Sequence, residues 1–189
     1  MTQTDVLDLF RQSGALLEGH FRLSSGLHSS GYLQCALVLQ HPRHAEALGR
    51  ALAEKLKAHA PTVVLSPAIG GLIIGHEVGR ALGVRAIFAE RQENVMTLRR
   101  GFSLEPTDRV VVIEDVITTG LSTRETMAAA AAAGATVVGA GSIIDRSGGS
   151  ATVGVPASAL ATLSLPTYQP EACPLCADGK PVQKPGSRA

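Results

Sequence analysis

The chain has 189 residues, 45% hydrophobic and 17% charged, which is enough apolar material for one ordinary globular domain and too much for a disordered chain. Lys and Arg total 17 against 16 Asp and Glu, so no global field draws it to nucleic acid or to an anionic membrane; any anion must be captured locally. The first ten residues are acidic and no segment reaches the roughly 18 apolar residues of a spanning helix, so the sequence predicts a cytoplasmic protein with no nucleic-acid or membrane partner.

In chain order, residues 4–17 carry Val6, Leu7, Leu9, Phe10, Leu16 and Leu17 around a Ser13-Gly14 break, a short helix followed by an extended piece. A Gly, Ser and His-rich stretch leads to a predicted strand at 32–39, whose Cys35 reads as a buried free thiol. Pro42 opens a helix that carries Ala45, Leu48, Leu52 and Leu56 at helical spacing. A strand at 62–65, a loop at 66–71, a helix at 72–82 and a strand at 84–88 form a parallel crossover unit. Residues 89–109 are polar and read as a long excursion from the core. A strand at 110–113 follows, then a helix at 122–133 with Ser122 and Glu125 at capping-box spacing and Gly134 as its stop. Strands at 136–144 and 159–165 complete the pattern, and the tail from 167 reads as irregular. The fold class is α/β, a mainly parallel sheet flanked by helices. A single domain is expected over 1–189, with an N-terminal segment at 1–40, a core at 41–166 and the tail at 167–189.

The stretch Val110-Val111-Val112-Ile113-Glu114-Asp115-Val116-Ile117-Thr118-Thr119-Gly120-Leu121-Ser122 runs a buried-strand pattern into two adjacent carboxylates. An unpartnered buried charge costs roughly several kcal/mol, so the pair is expected at an exposed strand end. Ligands of open parallel sheets bind beyond such ends. The turn at 118–122 offers backbone N–H groups, small hydroxyls and a helix N-terminus, a combination that cradles phosphate. Glu114 and Asp115 would repel that phosphate, but carboxylates accept hydrogen bonds from vicinal hydroxyls and can interact with hydrated Mg²⁺. A ribose 5-phosphate satisfies both halves. Neither G-x-x-x-x-G-K-[ST] nor a strand followed by G-x-G-x-x-G is present.

That stretch resembles the phosphoribosyl pyrophosphate signature of the type I phosphoribosyltransferase family. The resemblance extends to three further segments: Phe21-Arg22-Leu23-Ser24-Ser25-Gly26 is similar to the base-binding segment of orotate phosphoribosyltransferases, Pro67-Ala68-Ile69-Gly70-Gly71 to their pyrophosphate loop, and Asp145-Arg146 to the Asp-Arg after their next strand. The tail, with its Cys173-Pro174-Leu175-Cys176 and Lys184-Pro185-Gly186-Ser187-Arg188, resembles a short-loop branch.

The resemblance implies Mg²⁺-dependent transfer of ribose 5-phosphate from phosphoribosyl pyrophosphate to orotate. Ala68, Ile69, Gly70, Gly71, Arg91 and the whole run Glu114, Asp115, Val116, Ile117, Thr118, Thr119, Gly120, Leu121 and Ser122 would hold phosphoribosyl pyrophosphate. Ser25, Gly26, Thr118 and Arg146 would hold orotate, with Arg146 on its carboxylate. Glu114 and Asp115 would grip the ribose, Arg99 and Arg100 would neutralise the leaving group, and Mg²⁺ would be held mainly by substrate. Residues 89–109 would form a mobile hood acting on a neighbouring subunit's site, hence a homodimer. The chain departs from the commoner pattern in carrying Ser24 where many members have lysine, Ile69-Gly70 in place of an aromatic-lysine pair, and no lysine in the hood.

A purine phosphoribosyltransferase would share residues 110–122 without needing Arg146 to meet a carboxylate. A non-catalytic regulator would need a basic nucleic-acid-binding surface that a net charge of +1 does not supply. Cys173 and Cys176 form a lone C-x-x-C, read as a reduced turn, with a redox pair, a metal shared between subunits and a metal-binding tail left open. His20, His28, His41, His44 and His59 show no spacing that selects a metal.

Overall fold

The computed structural model of the chain describes residues 1–23 and 25–184. Helix α1 (Gln3–Gln12) begins at a capping box: the Thr2 hydroxyl accepts from the Asp5 N–H, and the Asp5 carboxylate accepts from the Thr2 N–H. Strands β1 (Leu16–Arg22) and β2 (His28–Leu33) form an antiparallel hairpin. Helix α2 (Cys35–Leu39) and helix α3 (Pro42–Leu56), with Pro42 in its first turn, precede β3 (Val63–Pro67) and α4 (Gly71–Leu82). Then come β4 (Arg85–Gln92), β5 (Val95–Leu98), β6 (Arg109–Ile117), α5 (Leu121–Ala132), β7 (Thr136–Asp145) and β8 (Ala157–Thr162). The tail adds β9 (Thr167–Tyr168) and the one-turn helix α6 (Pro174–Ala177).

The main sheet has six strands in the order β5-β4-β3-β6-β7-β8, parallel except for β5. Alternation along β6 divides the core. Val111 and Ile113 enter a cluster shared with α1 to α4, whereas Val110 and Val112 enter one shared with Met127 and Ala130 of α5. From β3 the chain crosses by α4 to β4 on one side, and from β6 it crosses by α5 to β7 on the other. The gap between the ends of β3 and β6 is therefore the switch point at which open α/β sheets bind ligands.

A small-residue stripe sets where α4 begins. A Cβ on Gly71 would lie 2.8 Å from the Ile113 carbonyl, one on Gly75 1.9 Å from the Ser66 hydroxyl, and one on Gly79 2.8 Å from the Ala86 Cβ. Without those side chains the helix lies directly on the sheet, which brings its first residues over the end of β6.

Four expectations are corrected. Residues 35–39, expected in a strand, are helical, because Gln34 caps the turn by accepting from the Ala36 N–H and the apolar face of the turn packs on the core. The excursion at 89–109 is shorter than expected: β4 runs on to Gln92 and turns at Glu93-Asn94, both at positive φ, into antiparallel β5. Met96 and Leu104 anchor this segment in the core, so a free-standing loop is replaced by a packed hairpin. The tail, expected irregular, lays β9 against β2 in a second sheet ordered β1-β2-β9. Finally, Ser122 and Glu125 make no capping box: Gly120 is the N-cap of α5, and the two side chains are engaged elsewhere. Ser24 and the tail residues Pro185, Gly186, Ser187 and Arg188 lie outside the described residues. Within the described residues, no helix is long and apolar enough to cross a membrane.

Candidate active site

Strand β6 does not stop at Ile113. It stays paired with β7 through Ile117, so Glu114 and Asp115 lie within the sheet and not, as expected, at an exposed end. Glu114 is only 7% exposed. Its partners come from α5: Ser122 Oγ donates to Oε2 at 3.0 Å and Thr123 Oγ1 donates to the same oxygen at 3.3 Å. Asp115 is half-buried on the side of α4, where a Cβ on Gly70 would come within 2.7 Å of Oδ1. Its Oδ1 accepts from the Val116 N–H at 2.8 Å. The two carboxylates thus leave the strand toward different helices and bracket its end.

Burial, and secondarily the neighbouring Asp115 charge, push the Glu114 carboxyl up to about 7, against the two hydroxyls that favour its ionised form. Burial also raises Asp115, opposed by the backbone N–H. The Cys35 thiol is pushed up by burial first and by the Asp115 charge second. This strand end holds negative charge poorly when alone; hydroxyl donors or a cation would stabilise it.

Beyond Ile117 the chain makes a short turn in which Thr118 and Thr119 are exposed and Gly120 sits at φ +74°. A Cβ on Gly120 would lie 2.9 Å from Val153 Cγ1, so both conformation and space require glycine. Arg124 fixes the turn from behind, donating to the Thr119 carbonyl at 2.9 Å and the Thr152 carbonyl at 3.0 Å. The first N–H groups of α5 have no partner within the helix and face this turn. Across the switch point, Ala68 and Ile69 are joined by a cis peptide, the Ala68 N–H donates to the Ala89 carbonyl at 2.8 Å, and Ile69 is 83% exposed. Gly70 and Gly71 meet the end of β6 from this side, their nearest β6 groups being Asp115 and the Ile113 carbonyl.

Arg146 follows β7, its N–H donating to the Ile117 carbonyl at 2.8 Å, which sets it beside the start of the Thr118–Gly120 turn. Its neighbour Asp145 is taken up locally, accepting from the Ser147 N–H and hydroxyl and from the Gly149 N–H. Among the described residues no carboxylate lies at ion-pair distance from Arg146, while Arg91 and Arg100 are each paired with an acid. Arg91 pairs with Glu125 of α5. Arg100, at φ +59°, grips Glu90 with two hydrogen bonds and lies over the Phe88 ring at 5.8 Å. Arg99 is exposed at the end of β5. Ser25 and Gly26 occupy the tip of the β1–β2 hairpin, where the Gly26 N–H donates to the Leu23 carbonyl at 2.9 Å. No hydrogen bond among the described residues links that tip to residues 114–122. The roles of Gly75, Thr123 and Arg124 are absent from the sequence reading; only the Gly71-x-x-x-Gly75-x-x-x-Gly79 spacing could have signalled the close helix seat.

The sheet is mostly parallel and its switch point sets the Thr118–Gly120 turn beside paired carboxylates; residues 36–153 match the family described as phosphoribosyl transferase domain, the class to which this chain belongs. A relative from Pelotomaculum thermopropionicum, named orotate phosphoribosyltransferase, is 55% identical over 188 residues, covering 100% of this chain and 99% of its own. One of the same name from Heliobacterium modesticaldum is 54% identical and covers 100% of both. The crystal structure of orotate phosphoribosyltransferase from Aeropyrum pernix superposes with a TM-score of 0.68 at 27% identity, over 84% of this chain and 93% of that one. The chain belongs to the orotate phosphoribosyltransferase family.

Proposed function

We propose that this protein transfers the 5-phosphoribosyl group of phosphoribosyl pyrophosphate to a ring nitrogen of orotate, giving orotidine 5′-monophosphate and pyrophosphate for pyrimidine nucleotide synthesis. The observation that carries this reading is the Glu114-Asp115 pair set against the Thr118–Ser122 turn at the switch point, in a chain similar over its full length to orotate phosphoribosyltransferases. The turn and the start of α5 take the 5-phosphate, for which backbone N–H groups, including that of Ser122, and the hydroxyls of Thr118 and Thr119 are suited. Glu114 and Asp115 accept from the ribose 2- and 3-hydroxyls. That contact returns to Glu114 the solvation it lost on burial.

The leaving pyrophosphate fits the Ala68–Gly71 loop, where the absence of a side chain on Gly70 lets the backbone approach Asp115 closely. Arg146, with no carboxylate partner of its own among the described residues, is the fork for the orotate carboxylate. Ser25 and Gly26 read the pyrimidine edge. The ribosyl centre develops positive character as the bond to pyrophosphate loosens, so holding the ring and neutralising the leaving group dominate, and no protein nucleophile is required.

The donor set at the strand end, two carboxylates and several hydroxyls, is oxygen alone, which fits Mg²⁺. Glu114 and Asp115 are too few for an all-protein cage, so substrate and water would complete its shell; bound there, the ion would neutralise the pyrophosphate charge. Arg91 and Arg100 of the hairpin would exchange intramolecular acids for phosphate oxygens and Arg99 would add its exposed charge, with the hairpin acting at the site of a second subunit in a homodimer. Val95 at the hairpin tip, 63% exposed, supports such a contact. Phosphorylated substrates made and consumed inside the cell support a cytoplasmic location.

The test is to mix the protein with phosphoribosyl pyrophosphate, Mg²⁺ and, separately, orotate, uracil, adenine, guanine or hypoxanthine, and to follow base consumption and pyrophosphate release. Orotate alone should turn over. Turnover of a purine would overturn the base assignment, and binding without turnover of any base would make the protein a regulator.

A further inference from the structure

Four side chains outside the strand-end site converge where the tail folds back on the β1–β2 hairpin. His20 of β1, His28 of β2, Cys173 and Cys176 each offer one ligand atom, and these atoms all lie within 4.8 Å of one another. Cys176 Sγ is 3.3 Å from His28 Nδ1 and 3.7 Å from His20 Nε2, and Cys173 Sγ is 3.6 Å from His20 Nε2. A tetrahedral zinc ion with Zn–N about 2.0–2.1 Å and Zn–S about 2.3 Å sets N···S edges near 3.6 Å. Three observed separations match that edge. The two ring nitrogens, 2.8 Å apart, stand closer than the roughly 3.3 Å the same geometry requires, so binding would open this edge by about half an ångström.

The proton on His20 is set by its other partner. Nδ1 lies 2.8 Å from the Lys180 carbonyl oxygen, which only accepts, so Nδ1 carries the hydrogen and neutral His20 turns a bare lone pair at Nε2 into the cluster. A backbone carbonyl that orients a histidine in this way is the usual support behind a metal ligand. His20, His28 and Cys173 are buried, while Cys176 is exposed and leaves an entry path.

We propose that His20 Nε2, His28 Nδ1, Cys173 Sγ and Cys176 Sγ bind a single divalent ion of the zinc type. Two imidazoles and two thiolates in a tetrahedron suit zinc, and four protein ligands leave no position for substrate, so the ion is structural. Binding displaces the two thiol protons to solvent, and the dication with two thiolates is neutral overall; no electron is transferred. The ion ties three chain segments together. The tail then runs alongside β1, with the Gln183 N–H donating to the His20 carbonyl and the Arg22 N–H to the Gln183 carbonyl, each at 2.8 Å. His20 and His28 also flank the loop that carries Ser25 and Gly26; that the ion thereby steadies the orotate-reading tip rests on the function proposed above.

Metal analysis of the full chain, purified reduced and without chelator, should give about one zinc per chain. After chelation under reducing conditions, added Co²⁺ should produce the visible and sulfur-to-cobalt absorption bands of a tetrahedral thiolate site, and the melting temperature should fall until zinc is restored. Cys176→Ser, at the exposed ligand, should weaken zinc binding by about 100-fold or more, and Cys176→His should retain the ion with a shifted cobalt spectrum. Reduced protein that neither contains zinc nor takes up Zn²⁺ or Co²⁺ would overturn the proposal. So would a cobalt spectrum unchanged when both cysteines are serine, or a Cys173–Cys176 disulfide in freshly isolated protein that gains no metal on reduction. Because metal content is read without turnover, a failure here is distinguishable from a failure to use orotate.

Discussion

The end of β6 and the β1–β2–β9 module solve opposite problems. At the strand end the scaffold is dry: β3 is buried throughout and β6 from Val110 to Glu114, so hydrophobic packing on both faces fixes the backbone that carries Glu114 and Asp115. In the module, Leu16 and Phe21 are the buried apolar side chains of its three strands, too little to order the hairpin and tail by burial alone. The carboxylates at the strand end are placed by the core, whereas the module is held by polar pairing and, with the proposed ion bound, would be tied together through His20, His28, Cys173 and Cys176. Packing supplies a rigid site from consecutive residues; chelation supplies rigidity where packing is scarce.

The comparison is broken most forcefully at Asp115. Asp115→Asn should lower kcat by about 10² to 10³ while leaving circular dichroism unchanged, if the core alone holds the strand end and the carboxylate serves substrate. A near wild-type kcat would remove the residue from the site.

Glu114 tests the cost of placing an acid in that packed core. With its carboxyl raised from 4.5 to about 7, the folded protein binds a proton more tightly than the unfolded chain. The associated stability is therefore full below about pH 4.5 and is lost as pH rises through about 7, a difference on the order of 3 kcal/mol. Glu114→Gln should flatten that part of the denaturation profile and raise stability at pH 8, measured by urea unfolding, while weakening phosphoribosyl pyrophosphate binding. An unchanged pH profile would place the titration elsewhere.

Arg146→Ala should raise the orotate KM by roughly 10- to 100-fold, the worth of a charge-assisted pair, with a much smaller change for phosphoribosyl pyrophosphate. The reverse order would reject the carboxylate pairing. Smallest of all, Arg99→Ala combined with Arg100→Ala should slow kcat by about 10-fold and change stability little, since the Arg100 side of its pair with Glu90 is exposed to solvent. Wild-type rates in steady-state kinetics would confine these arginines to the hairpin.

The strand-end chemistry was legible because it is contiguous: an apolar run, two acids, a Thr-Thr-Gly turn and a helix start occupy residues 110–122, and local hydrogen bonding converts that order directly into geometry. Burial of Glu114 was not, because its hydroxyl partners are offered by α5 only once the helix has docked. The helix at 35–39 was hidden by residues as apolar as any strand, and the Glu93-Asn94 hairpin by charge that suggested a solvated loop. His20 and His28 carry no ligand spacing of their own, and Cys173 lies 145 positions after His28, so no sequence window could join them.

By itself, then, the sequence determined the α/β class, the order of the core elements and the turn between β6 and α5, because hydrophobic periodicity and turn chemistry act over a few neighbouring residues. Only the tertiary structure decided that the acids lie inside the sheet, that the hood is a packed hairpin and that two histidines meet two cysteines. Each of those depends on surfaces brought together across the chain, and such proximity is created by folding.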